Sequence, residues 1–157
     1  MKSYDIPNYK KLEIENIIFD INGTIQFSGN LSSGFKDKLE ELKPHFNIIL
    51  VSADTRGNLE ELANILKVKF EKLVRGKSER EQKAEIVDKY DAKKTIAIGN
   101  GNNDELMLKK AALGIAIIGS EGATYNAIKS ADIVVIDPIH AIEIILDEKK
   151  MIGTLRS

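Results

Sequence analysis

The chain has no cysteine and only two histidines in 157 residues. Without cysteine, disulfides, thiolate nucleophiles and thiolate-ligated zinc are excluded. His45 and His140 are too few and too far apart for a histidine-built metal centre. Neither sign of charge is in excess: 23 basic against 24 acidic residues give a net charge of −1. Nothing in that balance draws the chain to nucleic acid or to an anionic membrane. No apolar run approaches the ~20 residues of a membrane span. The opening stretch, MKSYDIPNYKKLEIEN, lacks the apolar segment of a secretory signal. The expectation is a cytoplasmic protein with no nucleic-acid or membrane partner.

What is present is an ordinary globular composition, 43% hydrophobic and 30% charged, with enough length to bury a core. Short apolar runs rich in β-formers stand at 16–21 (NIIFDI), 46–52 (FNIILVS), 69–74 (KFEKLV), 95–100 (TIAIGN), 114–119 (GIAIIG) and 132–137 (DIVVID). Several are apolar at consecutive positions, as in parallel strands covered on both faces. Amphipathic stretches lie between them. SSGFKDKLEELKP stops before Pro44; TRGNLEELANILK carries Leu59, Leu62, Ala63, Ile65 and Leu66 on one face. SEREQKAEIVDKY opens with a serine cap and acids in its first turn. NDELMLKKAAL is read as a helix ending at Gly114, GATYNAIKSA as the next, and PIHAIEIILDEKK as one that starts at Pro138. This alternation predicts a three-layer α/β fold, doubly wound around a mainly parallel sheet. Residues 22–31, NGTIQFSGNL, break the pattern as a small hairpin flap. No linker or repeat divides the chain, so one domain over 1–157 is expected, with its core at about 16–147.

In such sheets ligands sit beyond the carboxyl ends of the strands. Asp20, Asn22, Gly23 and Thr24 follow the first run; Ser52, Asp54, Thr55 and Arg56 the second; Gly99, Asn100, Gly101, Asn103 and Asp104 the fourth. Any one of these reads first as a polar turn, but three polar, glycine-containing ends on one edge are harder to read that way. A carboxylate held rigidly at Asp20 can attack phosphorus, and the amides of the turn at Gly23 can cradle phosphate oxygens. Ser52 adds a hydroxyl. Asp104, with the amides of Asn100 and Asn103, offers oxygens to a hard cation such as Mg²⁺. Lys83, held on a helix, is preferred to Lys77, in the loop before it, as the balancing cation. Arg56 can bind a substrate anion or be a charge at a helix start, and Asp54 can face ligand or cap that helix.

These residues resemble the haloacid dehalogenase (HAD)-like phosphotransferases, and among them the phosphorylation domain of P-type ATPases. DINGT is similar to the D-x-x-G-T nucleophile motif, LVSADTRGNLEELANIL to the T-G-D stretch, EREQKAEIV to the lysine motif, and IGNGNNDELMLKKAALGIAIIGSEGATYNAIKSADIVV to the G-D-G-x-N-D block. The match runs from about 16 to 137. The resemblance implies a Rossmann-like core, Mg²⁺ dependence and an aspartyl-phosphate intermediate. It makes Asp20 the nucleophile, the Asn22 carbonyl a metal ligand, and Asp20, Asn100 and Asp104 the other metal positions. It places Gly23, Thr24, Ser52, Ala53, Lys83 and Asn103 around the phosphoryl group. Thirty-one residues separate Asp20 from Ser52, too few for the pump's nucleotide-binding insert. A capless member acting on a small phosphorylated substrate is expected, with room for a homo-oligomer.

Two positions depart from that pattern. Asn22 stands where hydrolytic relatives carry the acid/base Asp, which implies slow turnover or a longer-lived intermediate. Asn100 replaces a charged metal ligand, which implies a weaker Mg²⁺ site. Both also precede glycine, a pair that favours tight turns whatever the chemistry. The rival reading is a phosphate-binding regulatory or protein-interaction module without turnover. A receiver-type domain fits less well, because its acceptor aspartate follows a middle strand.

Overall fold

The computed structural model describes residues 1–157. The strands are β1 (Lys2–Asp5), β2 (Lys11–Ile14), β3 (Asn16–Asp20), β4 (Gln26–Phe27), β5 (Asn30–Leu31), β6 (Asn47–Ser52), β7 (Lys69–Lys72), β8 (Thr95–Gly99), β9 (Leu113–Ile117) and β10 (Ile133–Val135). The helices are α1 (Phe35–Leu42), α2 (Leu59–Leu66), α3 (Glu79–Lys89), α4 (Glu105–Lys110), α5 (Tyr125–Ser130), α6 (Pro138–Leu146) and α7 (Glu148–Leu155). Six strands form one sheet in the order β10-β9-β8-β3-β6-β7, and every pair in it is parallel. All six apolar runs are therefore strands, and the fold is the doubly wound α/β sheet that their alternation with helices predicts.

Strand periodicity sorts the core into two layers. Ile17 and Phe19 of β3, with Ile48 and Leu50 of β6, face α1, α2, α6 and α7. Ile18, Ile49, Val51 and Ala97 face the other way, against α3, α4 and α5. Asp20 lies two residues beyond Ile18, so the alternation turns it toward α3 and α4.

Three expectations need correction. Ile65 is half exposed, at 50%, because α2 buries Leu59, Leu62, Ala63 and Leu66 and turns Ile65 outward. The helix expected to run to Gly114 stops at Lys110, and Gly114 lies inside β9. The last helical stretch is two helices: Asp147 ends α6, and its carboxylate accepts from the amides of Lys149 and Lys150 to start α7. The N-terminal segment adds an antiparallel hairpin, β1 with β2, whose Tyr4, Leu12 and Ile14 close the first core layer. The flap at 26–31 is a two-residue hairpin, β4 with β5, turning through Ser28 (φ 52°) and Gly29 (φ 81°).

Candidate active site

Asp20, Ser52 and Gly99 end three neighbouring strands, β3, β6 and β8, on one edge of the sheet. Over this edge α3 carries Lys83 in the same buried stripe as Val87, one turn on, and Ala84 beside it. Lys83 is therefore driven inward, and only 1% of it is exposed. Its ammonium donates to Asp20 Oδ1 at 2.8 Å and to Asp104 Oδ1 at 2.7 Å. Lys77, the competing cation, is exposed in the loop before α3.

Asp104 is fully buried at the end of a 3₁₀ turn over residues 102–104. Its Oδ2 accepts from the amides of Asn100 and Gly101, both at 2.9 Å. Gly99 is required for this approach: a Cβ there would lie 2.5 Å from Asp104 Cγ. Three of the roughly four acceptor directions of Asp104 are thus occupied, so it mainly holds Lys83 and the Asn100 turn in place. Asp20 keeps more freedom, with Lys83 on Oδ1 and the Thr24 hydroxyl on Oδ2 at 2.9 Å. Burial, then the neighbouring Asp104 charge, push Asp20 up to about 6 against the pull of Lys83. Lys83 is itself held above its ordinary value by the two carboxylates, which outweigh its burial.

The turn after Asp20 is arranged differently from expectation. The amide of Gly23 donates to Gln26 O and that of Thr24 to Ile21 O, so neither is free to cradle a phosphate. Thr24 contributes its hydroxyl instead, which reaches Asp20 Oδ2 and also lies 3.2 Å from Asn100 Oδ1. Ser52 Oγ accepts from the amide of Asp54, which leaves its own proton to donate; Ala53 follows, half buried. Asn103 turns away from Asp20: its Nδ2 donates to Glu79 Oε2 on the first turn of α3. Asp54 accepts from the amide of Leu59, the first residue of α2, and pairs with Lys72 at 3.3 Å. It caps that helix. Arg56 is exposed at the rim.

Asn22 and Asn100 are unlike each other. The Asn22 side chain is half buried and makes no hydrogen bond. Asn100 lies over Gly23, and its Nδ2 donates to Gly122 O at 3.1 Å. A carboxylate at Asn100 would face that carbonyl without a proton to offer. The partners Gly122 and Glu79 were invisible in the sequence, and Gln26, whose buried Oε1 has no partner, was passed over. The one available signal was polarity at Gln26 within a buried run.

Residues 77–138 match the family model of the haloacid dehalogenase-like hydrolases. Over 64 residues the chain is 56% identical to an uncharacterized protein of Methanocaldococcus jannaschii, covering 41% of this chain and 69% of that one. The chain belongs to the HAD-like hydrolases. Among solved structures it is similar to a 3-deoxy-D-manno-octulosonate 8-phosphate phosphatase from Moraxella catarrhalis, solved with magnesium, phosphate and KDO. That likeness has a TM-score of 0.69 at 14% identity, over 90% of this chain and 87% of that one. It is also similar to the catalytic domain of the CPx-ATPase CopB, with a TM-score of 0.62 at 26% identity, over 75% of this chain and 46% of that one. No helix of this HAD chain is long and apolar enough to cross a membrane.

A hard divalent cation fits the groups gathered here. Asp20 Oδ2 and Asn100 Oδ1 are brought together by one hydroxyl, that of Thr24, and both are oxygens with a direction to spare. Both belong to the donor type that suits a hard cation such as Mg²⁺ and not a soft metal.

Proposed function

We propose that this chain is a Mg²⁺-dependent phosphatase or phosphotransferase working through an aspartyl-phosphate on Asp20. One observation carries the reading: a buried ammonium, Lys83, bonded at once to Asp20 and Asp104 beneath an open strand edge. The inner cluster of two carboxylates and one ammonium is net negative, which by itself repels phosphate. Asp20, Asn100 and the Asn22 carbonyl would hold Mg²⁺, which supplies positive charge toward the phosphate oxygens.

Lys83 fixes Asp20 Oδ1 and keeps its charge, while Thr24 fixes Oδ2, so the carboxylate meets phosphorus in one orientation. As the bond to an Asp20 oxygen forms, the bond to the leaving oxygen breaks and its electron pair goes with it. Asn22 has no proton to give, so the leaving oxygen takes one from solvent. Acyl phosphates and nitrophenyl phosphate, whose leaving groups need none, are the favoured substrates. Ser52 Oγ–H and Lys83 meet the charge that develops on the transferred group. The same Asn22 cannot activate water, so the aspartyl-phosphate is long-lived.

The larger hollows of the surface lie elsewhere, one of about 450 Å³ beside Lys67 and one of about 750 Å³ beside Lys149. We read the 157 residues as one capless domain, covered at this edge by the β4–β5 flap. The test is hydrolysis of acetyl phosphate and p-nitrophenyl phosphate with Mg²⁺, wild type beside Asp20→Ala. Equal rates in the two proteins refute the reading. Asn22 favours a second reading, a phosphate-binding module without turnover; tight vanadate binding with no hydrolysis of either compound would establish it.

A further inference from the structure

Ser52, at the end of β6, is tied to the loop beyond it by two hydrogen bonds in series. Its Oγ accepts from the amide of Asp54 at 2.9 Å, and the Asp54 carbonyl accepts from the amide of Gly57 at 3.0 Å. Asp54 (φ 58°) and Gly57 (φ 72°) both take the left-handed conformation, so Thr55 and Arg56 form the apex of a tight turn. Arg56 leans from this apex onto the flap. Its guanidinium covers Gly29, where a Cβ would lie 2.9 Å from Nη1 and 3.3 Å from Cζ. Gly29 (φ 81°) is doubly constrained, by the hairpin turn and by this contact. The other side of the flap is seated too: Phe27 packs on Gly119, and the Ser28 amide donates to Glu121.

Arg56 has no counter-ion. The acid nearest in sequence, Asp54, is committed to the Leu59 amide and to Lys72. The carboxylate on the far side of the flap, Glu121, meets a backbone amide. A guanidinium thus stands exposed and unpaired between the flap and the β6 loop, on the rim of a site whose buried cluster is already net negative. Any second anion on a substrate is repelled from that cluster and needs a cation outside it. A planar, two-pronged donor is the group that matches a carboxylate or a phosphate. Arg75 and Lys77, exposed on the loop after β7, add charge of the same sign along this edge.

We infer that Arg56 takes a second anionic group of the substrate, so that the substrate class is an organic phosphate bearing a carboxylate or a further phosphate on its leaving side. This rests on the phosphoryl site proposed at Asp20. The test measures binding, not turnover. With Mg²⁺ present, 3-phosphonopropionate, 1,3-propanediphosphonate and propylphosphonate are titrated calorimetrically into wild type, Arg56→Gln and Arg56→Lys. Wild type is expected to hold the two doubly anionic ligands about tenfold to a hundredfold more tightly than propylphosphonate. Arg56→Gln abolishes that preference and Arg56→Lys keeps part of it. The stronger of the two doubly anionic ligands tells carboxylate from second phosphate. Equal affinity for all three in wild type, no binding of any, or a preference that survives Arg56→Gln, overturns the inference. If the preference follows Arg56 while Asp20→Ala leaves ester hydrolysis unchanged, the catalytic reading falls and only the second-anion contact at Arg56 stands. Asp20-dependent hydrolysis without the preference gives the reverse.

Discussion

Lys83 and Asp104 form an ion pair of 2.7 Å in which the lysine is 1% exposed and the aspartate not at all. A pair so buried is costly to break from one side, because the surviving charge keeps no water. Lys83→Met strands two carboxylates, Asp20 and Asp104, together. It is expected to lower stability by about 3–5 kcal/mol and ester hydrolysis by about 10²–10³-fold. Lys83→Arg is not expected to rescue either, since a planar guanidinium cannot reproduce the ammonium's two bonds to Asp20 Oδ1 and Asp104 Oδ1 in the same buried position. Urea midpoints and kcat at pH 5 and pH 8 check this. The stability loss should be larger at pH 8, where neither stranded carboxylate can recover a proton. A native-like midpoint in Lys83→Met would mean that the pair is dispensable.

The proton on Asp20 gives a second prediction. In the folded, metal-free protein Asp20 titrates at about 6, and in the unfolded chain at the ordinary value of about 3.9. Between those values the folded state binds more protons than the unfolded one, so this residue's contribution to stability falls as pH rises. The full penalty is present above pH 6, and none of it below about 3.9. Asp20→Asn removes the titration. With EDTA present, the variant is expected to gain on wild type as pH rises from 4 to 7, by on the order of 2 kcal/mol in all. It should be inactive throughout. Denaturation at a series of pH values settles the sign; a gap that narrows with rising pH contradicts the assignment.

The two asparagines predict opposite outcomes for the same change. The Asn22 side chain has no hydrogen-bond partner to lose, so Asn22→Asp supplies a general acid and base at little structural cost. Turnover of alkyl phosphates is expected to rise by about 10²-fold or more, and that of acetyl phosphate much less. Asn100→Asp removes the donor to Gly122 O and sets a carboxylate against a carbonyl. It should cost the metal-free protein about 1–3 kcal/mol, while lowering the Mg²⁺ concentration needed for half-maximal rate. Steady-state rates against Mg²⁺, with thermal melts in EDTA, check both. An Asn100→Asp protein that melts at the wild-type temperature would show that the Gly122 contact is idle.

Residue spacing carried the sheet, because six apolar runs interleaved with helix-period stretches admit few other layouts. Part of the site followed from element type: Lys83 stood on a helix and Lys77 in a loop, and the one-turn offset from Val87 that turns Lys83 inward was there to be read but was not used. The N-terminal hairpin was legible but missed. In β2, Lys11 and Glu13 are exposed while Leu12 and Ile14 are buried, a strict alternation masked by its high charge. What spacing cannot supply is contact between loops far apart in the chain. Asn100 meets Gly122, Asn103 meets Glu79, and Arg56 covers Gly29 only because parallel crossovers bring those loops to one edge. The amides of Gly23 and Thr24 misled for a related reason. A glycine turn after a strand looks like an anion nest, but here its donors are used to build the flap's own base.

Gln26 sits at that base, 4% exposed, with its Oε1 unpartnered. Its backbone is fully used: the amide donates to Ile21 O, and the carbonyl accepts from Gly23. A buried carboxamide oxygen without a donor costs about 1–3 kcal/mol relative to an apolar group of the same shape. Gln26→Met keeps the length and removes the polar atoms, so it is expected to raise stability by about 1 kcal/mol. The melting temperature of the metal-free protein reads this directly. A drop in stability would show that the carboxamide is satisfied in solution, by an ordered water at the foot of the flap. The flap would then be held to the body of the molecule at its root as well as at its tip, where Arg56 and Glu121 grip it from either side.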